Sequence, residues 1–175
     1  MKSGADEANL TVLTQDTTTS APVELCGTFR HAVDSKGRVA VPAPLRRGLP
    51  DGSVVTAGPD RRLVIWPPDA WKRERELYRR VAESPSQSRH FMRQLAALPT
   101  STFELDAQGR LLLVSTQRAW CGITNSAVFT GMSDHVEIIG EQLWDADHLE
   151  MDPDAFTRLH DLVHRAGDPW DGTPA

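Results

Sequence analysis

Several features that mark membrane, disulfide-linked and secreted proteins are missing from this sequence of 175 residues. Its two cysteines, Cys26 and Cys121, lack the CxxC spacing of a zinc or redox pair, and we expect both thiols to be reduced and buried. No apolar run approaches the roughly 20 residues of a membrane span. The amino terminus also lacks the basic and apolar segments of a secretion signal, so we expect a cytoplasmic protein.

Motifs of common enzyme classes are absent as well. The sequence has no P-loop, no GxGxxG and no GxSxG elbow. Asp34 and Asp106 could flank a substrate as paired acids, but each stands in a turn sequence that favours an ionised, hydrogen-bonded carboxylate. His160 and His164 have the spacing of a metal-binding pair without HExxH or cysteine partners. The sequence therefore predicts neither an enzyme nor a bound metal or other cofactor.

The negative net charge of −5 is confined to the two ends of the chain. Residues 1–25 have one Lys against four acids (−3), and residues 145–175 have two Arg against eight acids (−6). Residues 26–144 have sixteen Lys and Arg against twelve acids (+4), so the three parts sum to −5. A basic central part permits binding to phosphate groups without requiring it.

One short segment occurs twice in the chain. DSKGRVAVP at 34–42 returns as DAQGRLLLV at 106–114, 72 positions later, and Ile65 and Trp71 have counterparts 73 positions on. We interpret this as an internal duplication. Because each copy of about 70 residues is small for an independent core, we expect the two halves to share one core. The offset of 72 places Asp34, Gly37, Arg38 and Arg46 on Asp106, Gly109, Arg110 and Arg118.

Each copy reads as a rigid turn that presents an arginine. The aspartate can bend its carboxylate onto nearby backbone N–H groups, and the glycine can adopt a positive φ. Arg38 then begins a strand with alternating outward and inward side chains. Two interpretations of Arg38 follow from the residues: a guanidinium held ready for a base edge or phosphate, or a structural ion pair with Asp34.

These repeated motifs resemble the paired DxxxR motifs of MraZ proteins, bacterial regulators of the AbrB-like, swapped-hairpin group. LCGTFRH at 25–31, VIWPPDAW at 64–71 and VEIIGEQLW at 136–144 are similar to other segments of that family. The resemblance covers roughly residues 25–144. It implies an α/β (α+β) fold in which two pseudo-symmetric AbrB-like halves, of the swapped-hairpin, double-split β-α-β type, form one domain.

The chain order predicts two repeats with flanking and linking segments. For helix starts, we expect Asp69 to cap a helix from Ala70, Ser115 or Thr116 to cap a turn around Arg118, and Asp152 to cap the last helix. The predicted segments are a flexible tail at 1–24, the first AbrB-like repeat with its helix at 25–83, a linking helix at 84–98, the second repeat with its helix at 99–150, and an acidic helical extension at 151–175.

The resemblance implies a sequence-specific DNA-binding transcriptional regulator, associated with the nucleoid, that forms a ring of several subunits. Its DNA would be short direct repeats upstream of a cell-division and cell-wall gene cluster; no membrane or small-molecule substrate is implied. The expected DNA-binding residues are Arg38, Arg110, Lys36, Gln108, Arg46 and Arg118, with Asp34, Gly37, Asp106 and Gly109 shaping the turns. Weaker candidates for phosphate contacts are Arg30, Arg47, Arg61 and Arg62.

The second copy departs from the first, and two other functions stay open. Val114 stands where the first copy has Pro42, Gln117 replaces an apolar residue, and Gln108 replaces Lys36, so we do not expect the two turns to bind DNA equally. One alternative is a ring-forming module whose turns bind an acidic protein. Another is an AbrB-type antitoxin, although the duplication argues against it.

Overall fold

The computed structural model describes residues 24–82, 90, 93–94, 96–149 and 152–167, and it has an α+β fold. The first half contains β1 (Thr28–Ala32), β2 (Arg38–Ala40), α1 (Ala43–Arg46), β3 (Val54–Ala57), β4 (Leu63–Trp66) and α2 (Pro68–Ala82). The second half contains β5 (Thr100–Thr102), β6 (Arg110–Leu112), α3 (Ser115–Trp120), β7 (Ser126–Gly131), β8 (Val136–Gly140) and α4 (Glu141–Leu149), and α5 (Pro153–Gly167) follows it.

Strand pairing gives the two halves a pseudo-twofold relation. The larger sheet has the order β1-β7-β8-β4-β3-β5, so the first strand of each half pairs with the third strand of the other half. The fourth strands, β4 and β8, meet at the centre, and β2 pairs with β6 in a separate two-stranded sheet. All of these pairs are antiparallel. The predicted α+β fold with two pseudo-symmetric, strand-exchanging halves is confirmed.

One hydrophobic core is shared by both halves. In the two-stranded sheet, Val39 lies opposite Leu111, and both side chains are buried. They join Ile65, Phe129 and Ile138, which are also buried. Burying a side chain of this size contributes about 1.5–3 kcal/mol relative to leaving it exposed. Because residues from both halves fill the same core, each half stabilises the other.

Two of the predicted helix caps are wrong. Helix α2 begins at Pro68, so Asp69 lies inside its first turn, where a carboxylate interacts favourably with the helix dipole. At α3, neither Ser115 nor Thr116 provides the cap. The Val114 N–H instead donates to Oε1 of Gln117 at 3.1 Å. The predicted cap of the last helix is confirmed, since the Asp154 N–H donates to Oδ1 of Asp152 at 2.9 Å.

The prediction for the cysteines is half right. Cys121 is buried, and this burial raises the pKa of its thiol to about 12. Cys26 is exposed, contrary to expectation. Its neighbour Leu25 is buried and exchanges two backbone hydrogen bonds with Ser133, of 3.0 and 2.7 Å. In an extended segment successive side chains point to opposite sides, so burial of Leu25 turns Cys26 outward.

Parts of the predicted segments lie outside the described residues. These include nearly all of the tail predicted at 1–24 and, of the linking helix predicted at 84–98, residues 84–89, 91–92 and 95. His90, Arg93, Gln94 and Ala96 are helical. Within the described ranges, no helix is long and apolar enough to cross a membrane.

Candidate nucleic-acid interface

The first turn is closed around the carboxylate of Asp34. Its Oδ1 accepts hydrogen bonds from the backbone N–H groups of Lys36 and Arg38, both at 2.9 Å, and its Oδ2 accepts from Arg38 Nε at 2.8 Å. The Gly37 N–H donates to the Asp34 carbonyl at 2.9 Å, with φ of +83° at Gly37. The aspartate therefore fixes both the backbone of the turn and the base of the arginine fork.

The second turn repeats this geometry. Oδ1 of Asp106 accepts from the N–H groups of Gln108 and Arg110, both at 3.0 Å, and Oδ2 accepts from Arg110 Nε at 2.8 Å. The Gly109 N–H donates to the Asp106 carbonyl at 2.8 Å, and its φ is +72°. Two segments far apart in sequence thus build the same arginine-bearing turn.

Pairing of β2 with β6 places the two turns side by side. The Val41 N–H donates to the Gly109 carbonyl at 3.1 Å, and the Leu113 N–H donates to the Gly37 carbonyl at 2.9 Å. Each glycine is thereby tied to the strand of the other half. Nη1 of Arg110 also lies 3.6 Å from Oδ2 of Asp34 in the neighbouring turn. The two turns consequently form one continuous surface.

Two further arginines, one from each half, lie against the turn of the other half. Arg118 from α3 lies against Gly37, where an added Cβ would stand 3.0 Å from Arg118 Nε and 2.7 Å from the Leu113 carbonyl oxygen. Arg46 from α1 lies against Gly109, where a Cβ would collide with its Nη1. Glycine is therefore favoured at both positions by the positive φ, and at Gly37 also by the lack of space beside the Leu113 backbone.

These residues form what we call the turn cluster: Lys36, Arg38, Arg46, Arg110, Arg118, Gln108, Asp34 and Asp106. Its five cationic side chains exceed its two carboxylates by three charges. Hydrogen bonds from the Arg38 backbone N–H, then from its side chain and the Lys36 N–H, lower the pKa of Asp34 to about 2. Hydrogen bonds from the Arg110 side chain, and from the backbone of Arg110 and Gln108, lower the pKa of Asp106. Both carboxylates are ionised at neutral pH, and the surface remains positive.

The two principal arginines differ in how much of the guanidinium is engaged. Arg38 donates a hydrogen bond from Nε to Asp34, and neither of its terminal nitrogens has a hydrogen bond to any described residue. In Arg110, both Nε and Nη2 contact Oδ2 of Asp106, at 2.8 and 2.7 Å. Nη2 also donates to Oε1 of Gln108 at 3.1 Å. The hydrogen bond to Asp106 raises the pKa of Arg110. The outer edge of Arg38 is available to acceptor atoms such as phosphate oxygens, whereas Arg110 is largely held within its turn.

Three of the weaker candidates are engaged elsewhere. Arg30 pairs with Glu141 at 2.7 Å and with Asp145 at 2.6 Å, both on α4. The guanidinium of Arg62 pairs with Glu137 and Asp147, each at 3.0 Å. Arg61 Nε donates to the Trp120 carbonyl at 3.4 Å. These arginines join the two halves or the α4 helix to the sheet, and none of these contacts involves a residue of the paired turns.

Sequence reasoning missed the role of Gln117. This residue is fully buried, with Oε1 accepting from the Val114 N–H and Nε2 donating to Ser101 Oγ at 2.9 Å. The amide therefore holds the start of α3, which carries Arg118. A signal was present, because the 72-residue offset aligns Gln117 with the buried Leu45 and so marks it as a core position.

Comparison with known proteins connects this geometry to a protein family. The model of the MraZ protein family, whose description also calls it antitoxin-like, matches residues 25–92. A protein from Natranaerobius thermophilus is 40% identical over 119 residues, covering 68% of this chain and 82% of that protein. One from Desulfitobacterium hafniense strain Y51 is 36% identical over 141 residues, covering 81% and 97%. A third, from Herpetosiphon aurantiacus, is 40% identical over 120 residues, covering 67% and 82%. All three are named as the transcriptional regulator MraZ.

Proposed function

Because the chain belongs to the MraZ family of transcriptional regulators, which are not enzymes, we propose that it binds double-stranded DNA through the turn cluster. The observation that supports this most is the side-by-side placement of two arginine-bearing turns, with Arg46 and Arg118 beside them. Such a surface carries fixed donors and an excess of positive charge. DNA offers both phosphate oxygens and the acceptor edges of its bases.

Arg38 is the residue that we assign to base recognition. Its Nε is anchored by Asp34, so the direction of the fork is set before binding and little rotamer entropy is left to lose. The two terminal nitrogens can donate to O6 and N7 of guanine, the commonest specific contact of arginine in the major groove. Arg110, which is held by Asp106 and Gln108, presents mainly Nη1 and makes the weaker contact.

Lys36, Arg46 and Arg118 supply contacts to the DNA backbone in this proposal. Lys36 and Arg46 are exposed, and Arg118 is partly exposed. Arg46 lies against Gly109 of the second turn and Arg118 against Gly37 of the first. Each phosphate neutralised by such a residue releases bound counterions. The slope of log K against log salt concentration then becomes more negative by about 0.9. Gln108 can hydrogen-bond to a base or phosphate but releases no counterion. Binding should therefore depend strongly on salt concentration.

We extend the proposal to the assembly and the target. A single pair of turns covers little DNA, so several subunits in a closed ring would engage successive sites with a gain in effective concentration. The matching DNA would consist of short direct repeats upstream of a cell-division and cell-wall gene cluster, bound in the cytoplasm at the nucleoid. In this proposal the repeats at 25–83 and 99–150 form the ring and bind the DNA.

Fluorescence anisotropy with DNA from upstream of this gene tests the proposal. Wild type would be compared with Arg38→Ala, with Arg110→Ala, and with Arg73→Ala at two salt concentrations. Arg73 is a matched control, since it is an exposed arginine of α2 that lies 3.6 Å from Asp134. We expect preference over a scrambled sequence, weaker binding for both turn variants and unchanged binding for the control. A flat salt dependence without sequence preference would overturn DNA binding.

A further inference from the structure

The two histidines of helix α5 approach each other closely. Nε2 of His160 lies 3.0 Å from Nε2 of His164, and the ring centroids are 4.2 Å apart with the planes inclined by 50°. The four-residue spacing places both rings on one face of the helix, and both side chains are exposed. The pair lies outside residues 25–92, which the family model matches, and outside the turn cluster. Its chemistry is therefore independent of the proposed DNA binding.

The distance between the two nitrogens fits a single metal ion bound to both. A neutral imidazole nitrogen is the commonest metal ligand in proteins and binds at about 2.0–2.1 Å. Two such nitrogens are about 3.0 Å apart when they subtend a right angle at the ion, and about 3.4 Å apart at the tetrahedral angle. The separation of 3.0 Å is that of a right-angled site. Tetragonal sites with nitrogen ligands are typical of Cu²⁺ and Ni²⁺, whereas structural Zn²⁺ is tetrahedral.

A neighbouring carboxylate favours the form of His160 that binds a metal. Oδ1 of Asp161 lies 3.8 Å from Nδ1 of His160. A negative charge at that position favours the proton on Nδ1 and leaves the lone pair on Nε2, as in the carboxylate–histidine pairs of metal sites. Nε2 is also the nitrogen that faces His164. The tautomer and the geometry therefore agree on the same pair of ligand atoms.

We propose that His160 and His164 bind one divalent transition-metal ion of the Cu²⁺ or Ni²⁺ class. Within the described ranges, no group of three or more His, Cys, Asp or Glu side chains could hold a metal ion. The two imidazoles are therefore the whole contribution of those ranges to the site, and water completes the coordination. The bound ion clamps one turn of α5, a helix of 15 residues that is marginally stable by itself. The expectation of no metal rested on the spacing, which does not show that the nitrogens converge.

Isothermal titration calorimetry of the full chain with Ni²⁺, in the absence of an affinity tag, tests the site. Wild type would be compared with His164→Gln and with His164→Gln combined with Arg165→His, a double variant that keeps the number of histidines but changes their spacing. We expect one Ni²⁺ site in wild type and an affinity lower by about tenfold or more in both variants, because only position 164 brings the second imidazole to the bound ion. His90→Gln, which removes an exposed histidine elsewhere, should leave the affinity unchanged.

Three outcomes would overturn the proposal. If the double variant binds Ni²⁺ as tightly as wild type, the ion binds single exposed histidines, and the close approach is a hydrogen bond between the two rings. If Zn²⁺ binds wild type more tightly than Ni²⁺ does, the right-angled geometry is wrong. The third concerns the helix itself, because Ni²⁺ should slow amide hydrogen exchange within residues 153–167 of wild type but not of the double variant. Unchanged exchange in wild type would contradict the clamp. Circular dichroism without metal checks that all variants are folded.

Discussion

The two turns of the turn cluster have the same backbone geometry, but they hold their arginines differently. In the first, Arg38 is anchored through Nε, and the outer edge of its fork is open. In the second, Arg110 is engaged by Asp106 and Gln108 and lies 3.6 Å from Asp34 of the first turn. The two turns thus have the same backbone scaffold, while their side chains make different contacts. We infer that the first turn presents its arginine and that the second mainly supports the surface.

Alanine at the two turn glycines should produce the largest difference between the turns. Both positions have positive φ, but a Cβ at Gly37 meets the backbone oxygen of Leu113, whereas a Cβ at Gly109 meets the flexible end of Arg46. We expect Gly37→Ala to lower the free energy of unfolding by about 3 kcal/mol and Gly109→Ala by about 1 kcal/mol. Urea unfolding measures both values, and equal losses would contradict the difference in surroundings.

Removing each arginine in turn should distinguish the turn that presents its arginine to DNA from the turn that supports the surface. We expect Arg38→Ala to weaken DNA binding about 10- to 100-fold, because a bidentate base contact is worth about 1–3 kcal/mol. Arg110→Ala should weaken it about threefold or less. Anisotropy titrations with one DNA sequence give the ratio directly. A larger loss for Arg110→Ala would reverse the roles that we assign to the two turns.

Exchanging the buried residues behind the turns tests how each is supported. Gln117→Leu copies the first half but leaves the Val114 N–H and the Ser101 hydroxyl without their present partner. We expect it to lower the free energy of unfolding by about 1 kcal/mol. Thermal unfolding with Thr116→Ala as an exposed control checks this. A more stable Gln117→Leu variant would show that the buried amide does not support α3.

Gln108→Lys would make the second turn chemically more like the first. An added cation at this exposed position should release one more counterion on binding, and the salt slope should change by about 0.9. Loss of the Gln108–Arg110 hydrogen bond should also free part of the Arg110 fork. The measurement is the affinity at four salt concentrations. An unchanged slope would place Gln108 outside the contact surface.

The smallest expected effect is on acid stability. The pKa of Asp34 is lowered from 3.8 to about 2, so its contribution to stability is complete above pH 3.8 and is lost as the pH falls through 2. Asp34→Asn should therefore flatten the fall of unfolding free energy in this window. The effect should be small because the Asp34 side chain is partly exposed and solvent screens its interactions. Acid unfolding followed by circular dichroism, with Asp106→Asn in parallel, measures it.

The sequence predicted the two turns, which depend on neighbours along the chain, although it misplaced the caps of α2 and α3. The repeated DxxGR segments predicted two equivalent turns, and the 72-residue offset aligns β2 with β6 and the start of α1 with that of α3. Contacts between the halves were not predicted, because no pattern within either half reports them. Examples are Arg46 against Gly109 and Arg118 against Gly37. The exposure of Cys26 was missed for the same reason, since it follows from pairing of its neighbour with Ser133.

Exchange of strands between the halves also sets the order of events during synthesis. Thr28 of β1 pairs with Thr130 of β7, so β1 has no partner in the sheet until most of the chain has left the ribosome. Such distant pairing requires costly loop closure and slows folding. The first half is thus made with an unpaired strand and an incomplete core, which favours aggregation. We therefore expect this protein to reach its native form only when a chaperone binds the first half early or the chain is completed rapidly.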